Sequence, residues 1–275
     1  MLYYENINKH VTLFKSDITN KKNINKIFKE NKIEICFHLA AQVEVGKANI
    51  DPFSTFETNI KGTYCLLEAI RKNKKNIKSV IVASSDKVYG TYPKKLLPYK
   101  EDYKLKASYP YEVSKACSDI ISKSFSGELF NIPIIITRFT NIFGPGQLNF
   151  SALIPDIIRT ILSNKKFTPR GDGTAIRDFI YVKDIVSIYL LLSKKLYQNK
   201  KKYSGEIFNA GTNRPITVKK IIEKILIQNN KKKELEEILK LMRSKKTKGE
   251  IPYQFMDCKK ITHYFNWKPK YSFER

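Results

Sequence analysis

The sequence predicts an α/β fold: a doubly wound parallel sheet with helices on both faces, joined to a smaller mixed α/β lobe. Three observations lead there. Short, continuously apolar segments alternate with amphipathic ones through about residue 140, as buried parallel strands require. Their strand–helix–strand order implies right-handed crossovers within one sheet. After Gly144-Pro145-Gly146 the rhythm breaks into shorter, mixed elements. Residues 1–145 are therefore expected to form the main sheet domain. Residues 146–275 form mainly the second lobe, with some segments returning to the main sheet.

The expected elements run as follows. Val11–Phe14 reads as a strand and Asn23–Glu30 as a helix. Ile33–Leu39 reads as a strand, Pro52–Lys72 as a long helix, Ile77–Ser84 as a strand, Pro110–Phe130 as a helix and Ile132–Thr137 as a strand. In the second lobe, helices are expected at Ala152–Leu162, Val182–Leu196, Val218–Gln228, Lys231–Arg243 and Asp257–Phe265. Strands are expected near Phe167 and at Phe179–Tyr181 and Glu206–Asn209, with a turn at Gly171-Asp172-Gly173. The interval Lys194–Ser204 is the most linker-like, and no internal repeat is visible.

Composition narrows the class. A chain of 275 residues with 42% hydrophobic content can bury a sizeable core. No apolar run approaches a membrane span, and Met1–Glu5 has neither the basic front nor the apolar stretch of a signal peptide. The four cysteines are scattered without metal-ligand spacing, so a reduced, cytoplasmic setting without metal is the default. Cys36 and Cys117 are expected as small core residues. The net charge of +25 invites a nucleic-acid reading, but 43 of the 51 basic residues are Lys spread along the chain and only 8 are Arg. Readers of bases and phosphates favour Arg forks. Nucleic acid is therefore set aside, and a general pull on anionic substrates remains.

The most informative pieces are Ser84-Ser85-Asp86-Lys87-Val88-Tyr89-Gly90 and Tyr109-Pro110-Tyr111-Glu112-Val113-Ser114-Lys115. The first closes the apolar run Val80–Ala83, which places Ser85, Asp86 and Lys87 at the carboxyl end of a buried strand. The second opens a helix on which Tyr111 and Lys115, four apart, share a face. A phenol beside an ammonium has a lowered pKa and can take a proton from a sugar hydroxyl. The carbon so activated can lose hydride, which calls for a nicotinamide.

These segments, in this order, resemble the extended short-chain dehydrogenase/reductase enzymes that act on nucleotide sugars. The resemblance runs from Asp17 to Pro269 and implies a Rossmann-like fold, NAD as cofactor and a nucleotide-sugar substrate. It makes Ser85, Tyr111 and Lys115 the redox triad, with Tyr111 and Lys115 also touching the cofactor. The pair Asp86-Lys87 is similar to that of CDP-glucose 4,6-dehydratase and of the inverting UDP-N-acetylglucosamine dehydratases. It implies oxidation at C4, loss of water from C5 and C6, and hydride return to C6. Lys87 would be the C5 base and Asp86 the acid at C6; the plainer reading is an ion pair beyond the strand. A 4-epimerase and a non-catalytic sugar-nucleotide binder are the alternatives.

The same resemblance assigns binding residues. Asp17 would accept from the adenine amine and Ile18 cover the ring, or Asp17 caps the following helix. Leu39, Ala40, Ala41 and Gln42 would lie under the cofactor, small side chains admitting its backbone approach. His38 and Asn59 read as structural. Asn141 would donate to the diphosphate, Asn149 and Leu153 would sit over the nucleotide base, and Arg170 and Arg177 would bind substrate. Arg177 suits phosphate as a guanidinium fork, or else pairs with Asp178 or Asp184. Arg138 opens the segment that leads into the substrate site, or else is a buried structural ion pair.

A nicotinamide enzyme of this fold should open with strand, Gly-x-x-Gly-x-x-Gly, helix, and no such motif occurs in the 275 residues. The expectation is an N-terminally truncated fold that begins one strand–helix–strand step late. A fragment, a late gene start or a separate chain would each account for it. Members of the family usually pair through two long helices, so a homodimer through a four-helix interface is implied.

Overall fold

The structure, a computed structural model, describes residues 9–163, 165–245 and 251–273; the Met1–Glu5 opening lies outside them. Helix α1 (Lys21–Glu30) is followed by strand β1 (Ile35–His38) and helix α2 (Val45–Ile50). Helices α3 (Pro52–Phe56) and α4 (Gly62–Lys72) are joined by a π-turn over Glu57–Lys61. Strand β2 (Ser79–Ala83), a 3₁₀ turn at Asp86–Tyr89, helix α5 (Pro110–Ser126) and strands β3 (Ile134–Phe139) and β4 (Asn141–Phe143) come next. Then follow α6 (Leu153–Leu162), β5 (Ile176–Arg177), β6 (Phe179–Tyr181), α7 (Val182–Gln198), α8 (Lys200–Tyr203) and β7 (Ile207–Ala210). The chain closes with β8 (Ile216–Thr217), α9 (Val218–Gln228), α10 (Lys232–Arg243), β9 (Tyr253–Gln254) and α11 (Lys259–Phe265).

The principal sheet has the order β1-β2-β3-β7, with β1 and β2 parallel. This parallel sheet among helices is the expected α/β class. The chain divides into two interleaved compact units. The first holds residues up to 84, 109–136 and 189–206; the second holds 85–108, 137–188 and 207 onward.

In the first unit, α4 buries Leu66, Leu67, Ala69 and Ile70 and packs against α1 and α5, and Val80, Ile81 and Val82 of β2 are buried. Asn20 caps α1 by accepting from Asn23 N at 3.1 Å, and Asp51 caps α3 by accepting from Ser54 N at 3.0 Å. In the second unit, β4 pairs parallel with β6, and β5 lies between β8 and β9. Its core gathers Ile154 and Ile157 of α6 with Phe167, Ile221, Ile222 and Ile225 of α9, and Met242 of α10.

Several expectations are corrected. Val11–Phe14 is not a strand, and Val11, Leu13 and Phe14 are exposed. A strand exists only through its ladder, and no described neighbour pairs with this segment. For the same reason β1 is not covered on both faces: Ile35 and Phe37 are 42% and 37% exposed. Phe167 lies in no strand but is buried in the second core. The linker-like interval Lys194–Ser204 is helical through the end of α7 and α8, because Leu196 and Tyr203 are buried anchors among the lysines. Cys36 and Cys117 are only half buried, whereas Cys65 and Cys258 are fully so.

Candidate active site

Within the first unit the chemistry gathers on α5. Pro110 occupies its first turn, and the Glu112 carboxylate accepts from Tyr109 N at 3.3 Å, closing the N-terminus. Tyr111 and Lys115 lie one turn apart on this helix, and both are buried. The Lys115 ammonium donates to Ala83 O at 2.7 Å. That carbonyl ends β2, two residues before Ser85 in the chain. Burial pushes Lys115 down to about 8, and the nearby Asp119 carboxylate opposes the shift.

The flanking residues brace this helix. Asn59, on the π-turn, accepts from Gln42 N at 2.7 Å and donates to Gln42 O at 2.9 Å and Ser114 Oγ at 2.9 Å. One side chain thus ties the loop after β1 to α5, which explains why the helix keeps an unfavourable Asn and tolerates a π-turn there. His38 Nε2 bonds Thr63 Oγ1 at 2.9 Å, and burial, then the Lys115 charge, pushes it down to about 4. A neutral, hydroxyl-bonded imidazole in the core is structural. Leu39 and Ala40 are exposed just past β1, with Ala41 and Gln42 half-buried. Asp17 does not cap α1; its Oδ1 accepts from Thr19 N and Thr19 Oγ1, which lower its pKa and leave the carboxylate ionised and exposed. Ile18 packs toward Gly62, where a Cβ would meet its Cγ2 at 2.5 Å.

Within the second unit, Ser85 caps the 3₁₀ turn that Asp86 and Lys87 open. Ser85 Oγ donates to Asp86 Oδ1 at 3.1 Å and accepts from Lys87 N at 3.2 Å. Asp86 is 3% exposed, and its Oδ2 has no hydrogen-bond partner among the described residues. Burial raises the Asp86 pKa; Lys87, Ser85, Gln254 and Arg177 pull the other way. The carboxyl is thus biased toward its protonated form. Lys87 Nζ donates to Gln254 Oε1 at 3.2 Å. The turn is anchored by Tyr89, whose hydroxyl donates to Asn209 at 2.7 Å and accepts from Arg138 at 2.9 Å. Arg138 is therefore a core brace. Gly90, at φ +63°, ends the turn where any Cβ would fall 2.0 Å from Lys106 O.

The remaining candidates fall elsewhere in this unit. Arg177 is buried on β5, donates to Ile176 O at 2.9 Å and stands in register with Gln254 of β9. Asp178 accepts from Thr212 N and Asn213 N, and Asp184 from Lys270 N and Tyr271 N. Both carboxylates thus serve as loop anchors. Asn141 donates its amide to Asp178 O at 3.2 Å. Asn149 accepts from Ser151, whose carbonyl accepts from Arg170 Nη1 at 2.6 Å, so this loop is knitted together. Leu153 packs against the second core. Gln254, fully buried, carried no signal in the sequence; its role rests on a contact spanning 167 residues. No group of His, Cys, Asp or Glu that could hold a metal occurs among the described residues.

These residues fit a nicotinamide dinucleotide. An exposed Ala40 and a half-buried Ala41 past a parallel strand, an ionised Asp17 and a buried cationic Lys115 suit its ribose, adenine and nicotinamide ends.

The family model described as GDP-mannose 4,6 dehydratase matches residues 2–275. CDP-glucose 4,6-dehydratase of Salmonella typhimurium is 28% identical over 264 residues, covering 93% of this chain and 71% of that one. The crystal structure of dTDP-glucose 4,6-dehydratase from Bacillus anthracis in complex with NAD superposes with a TM-score of 0.79 at 29% identity, over 94% of this chain and 75% of that one. UDP-glucose 4-epimerase of Thermotoga maritima with UDP-glucose gives 0.82 at 27%, over 98% and 83%.

Proposed function

The chain belongs to the GDP-mannose 4,6 dehydratase family, and from that premise we propose that it is an NAD-dependent nucleotide-sugar 4,6-dehydratase. NAD, when bound, supplies the hydride acceptor for C4 and the donor for C6. Tyr111 takes the C4 hydroxyl proton, Lys115 keeps its phenolate low in pKa, and Ser85 holds the C4 oxygen. The 4-keto group then acidifies C5–H. Lys87 takes that proton, and Asp86 protonates the C6 oxygen so that it leaves as water.

One observation carries the reading: Lys115, buried one turn from Tyr111, donates at 2.7 Å to the carbonyl that ends β2. An ammonium taken out of water acts on a neighbouring phenol far more strongly than an exposed one. Dehydration is favoured over epimerisation by Asp86. Its buried carboxyl, with a raised pKa, is suited to delivering a proton to a departing hydroxyl, a step that an epimerase does not need.

For cofactor binding the reading uses Asp17, Ile18, Leu39, Ala40, Ala41 and Gln42; for the nucleotide sugar it uses Asn141, Asn149, Leu153, Arg170 and Arg177. Arg170, with its side chain 61% exposed, is the accessible cation of that set. We read the enzyme as a homodimer, supported by exposed Ile50, Phe53, Tyr64 and Ile120 on the α2–α5 helices. Four free thiols favour the cytoplasm.

The test is incubation with CDP-glucose and NAD, followed by mass analysis. A 4-keto-6-deoxy product lighter by one water supports the dehydratase; an isomer of unchanged mass supports a 4-epimerase instead. Tyr111→Phe is expected to abolish C4 oxidation in a single turnover while nucleotide-sugar binding persists. Unchanged oxidation would refute its role.

A further inference from the structure

Asp86 and Lys87 both face Gln254, which neither the family resemblance nor the proposed mechanism uses. Gln254 is fully buried on β9, a two-residue strand that pairs parallel with β5. The register sets it beside Arg177. Its Oε1 accepts from Lys87 Nζ at 3.2 Å. Its Nε2 has no hydrogen-bond partner among the described residues. The second orphan beside it is Asp86 Oδ2, an acceptor that likewise has none. The Gln254 side chain acts on the Asp86 carboxyl as a hydrogen-bonding neighbour that favours its ionised form, although Gln254 Nε2 and Asp86 Oδ2 do not reach full hydrogen-bond geometry.

A buried amide donor left unpaired beside a buried carboxyl oxygen left unpaired is a costly arrangement, and such orphans call for an explanation. The elimination supplies one. Before it, Lys87 must be a neutral amine and Asp86 a protonated acid. During it, the C5–H bond breaks and its proton passes to Lys87 Nζ. The C6–O bond breaks, and the oxygen departs as water with the Asp86 proton. Afterwards the protein holds an ammonium and a carboxylate where it held two neutral groups. That charge-separated pair needs one acceptor and one donor, and a primary amide offers both in a fixed fork.

We propose that Gln254 is a positioning residue for the elimination step: its carbonyl end holds Lys87 and its amino end receives the Asp86 carboxylate as the two exchange protons with substrate. Interactions that strengthen only as charge develops accelerate a step rather than merely binding substrate. Arg177, the other cation acting on Asp86, adds to the same bias from β5. This inference rests on the dehydratase reading.

The experiment compares Gln254→Leu and Gln254→Glu with the unaltered enzyme in two arms. In the first, C4 oxidation and release of deuterium from C5 are followed separately in single turnovers with CDP-glucose and NAD. Gln254→Leu is expected to leave oxidation and KM near their original values and to slow C5 release about a hundredfold, the usual effect of losing one pre-aligned donor. The second arm needs no turnover. Lysine amines are ¹³C-dimethylated, the Lys87 resonance is assigned by its loss in Lys87→Arg, and its titration is followed by NMR.

Gln254→Leu is expected to lower the Lys87 titration midpoint and Gln254→Glu to raise it, by roughly one pH unit each. The Glu variant, of equal size, carries the test should the Leu variant fail to fold. Equal slowing of oxidation and C5 release, or midpoints that move together or not at all, would overturn the proposal. A wild-type enzyme that never oxidises C4 would instead sink the dehydratase reading, and the titration alone would then decide the Gln254–Lys87 coupling.

Discussion

Lys115 offers the sharpest thermodynamic test of the site. Its amine is pushed down to about 8 in the folded protein, against an ordinary value of 10.5, chiefly by burial. The sign follows from linkage. Between pH 8 and 10.5 the unfolded chain holds a proton that the folded chain has released, so stability rises with pH across this window. Replacing Lys115 by Met, which has similar length and no charge, removes this dependence. The hydrogen bond to Ala83 O is lost in the variant at every pH and cancels from the comparison. The difference in unfolding free energy, wild type minus Lys115→Met, should therefore grow by roughly 2–3 kcal/mol from pH 7 to pH 10. The assay is urea unfolding followed by circular dichroism without NAD, repeated across that range for both proteins. Lysines and tyrosines away from Lys115 titrate there too, but identically in both chains, and Tyr111, on which Lys115 acts, is replaced by Phe in both proteins, so only the Lys115 difference is read. A difference that stays flat, or that shrinks with rising pH, would show that the amine is solvated and would remove the basis for an acidified Tyr111.

Three further outcomes are expected. Asn59→Ala strips both Gln42 backbone bonds and the Ser114 bond, and should lower stability by about 2–4 kcal/mol in thermal or urea melts; a loss under 1 kcal/mol would show that the loop re-pairs elsewhere. Asp86 has a raised pKa, so C5–C6 elimination should fall as pH rises through that value. Asp86→Asn should abolish this limb of the pH–rate profile and slow elimination while sparing C4 oxidation, and an unaltered profile would exclude Asp86 as the acid. Gly90→Ala drives a Cβ into Lys106 O at positive φ. Soluble yield and melting temperature should both drop, and a melt within a degree or two of wild type would argue against the turn.

Much of this was legible because it is local. The apolar run at Ser79–Ala83 is buried on both faces and reads as the strand it is. The Tyr111–Lys115 spacing is a property of any helix, and Pro110 with Glu112 marks where that helix starts. What escaped was non-local. Val11–Phe14 has the composition of a strand, but a strand is a relation to a neighbour, and composition does not supply one. Lys200–Lys202 looks like a solvated tether until Tyr203 is seen to be buried. Asp178 follows Arg177 directly and Asp184 comes a few residues later, which suggests ion pairs, and the bonds that both carboxylates accept come from loop amides tens of residues away. Gln254 had no marker at all, since its partners come from a turn far upstream and from the register of two very short strands.

The rim of the principal sheet has a consequence for how the molecule keeps company. Among the described residues β1 is bonded on one side only, and its Ile35 and Phe37 stand partly in water. The backbone groups along the other side present the same ladder to any extended peptide that drifts near. A twin molecule serves as well as a proper neighbour, because main-chain pairing does not ask for a particular side chain. The strong positive charge works against such sticking by mutual repulsion. Added salt weakens that repulsion while leaving the sticky rim untouched. Raising ionic strength is therefore expected to promote association through this edge, which light scattering at low and high salt would register, and equal scattering at both would refute the idea.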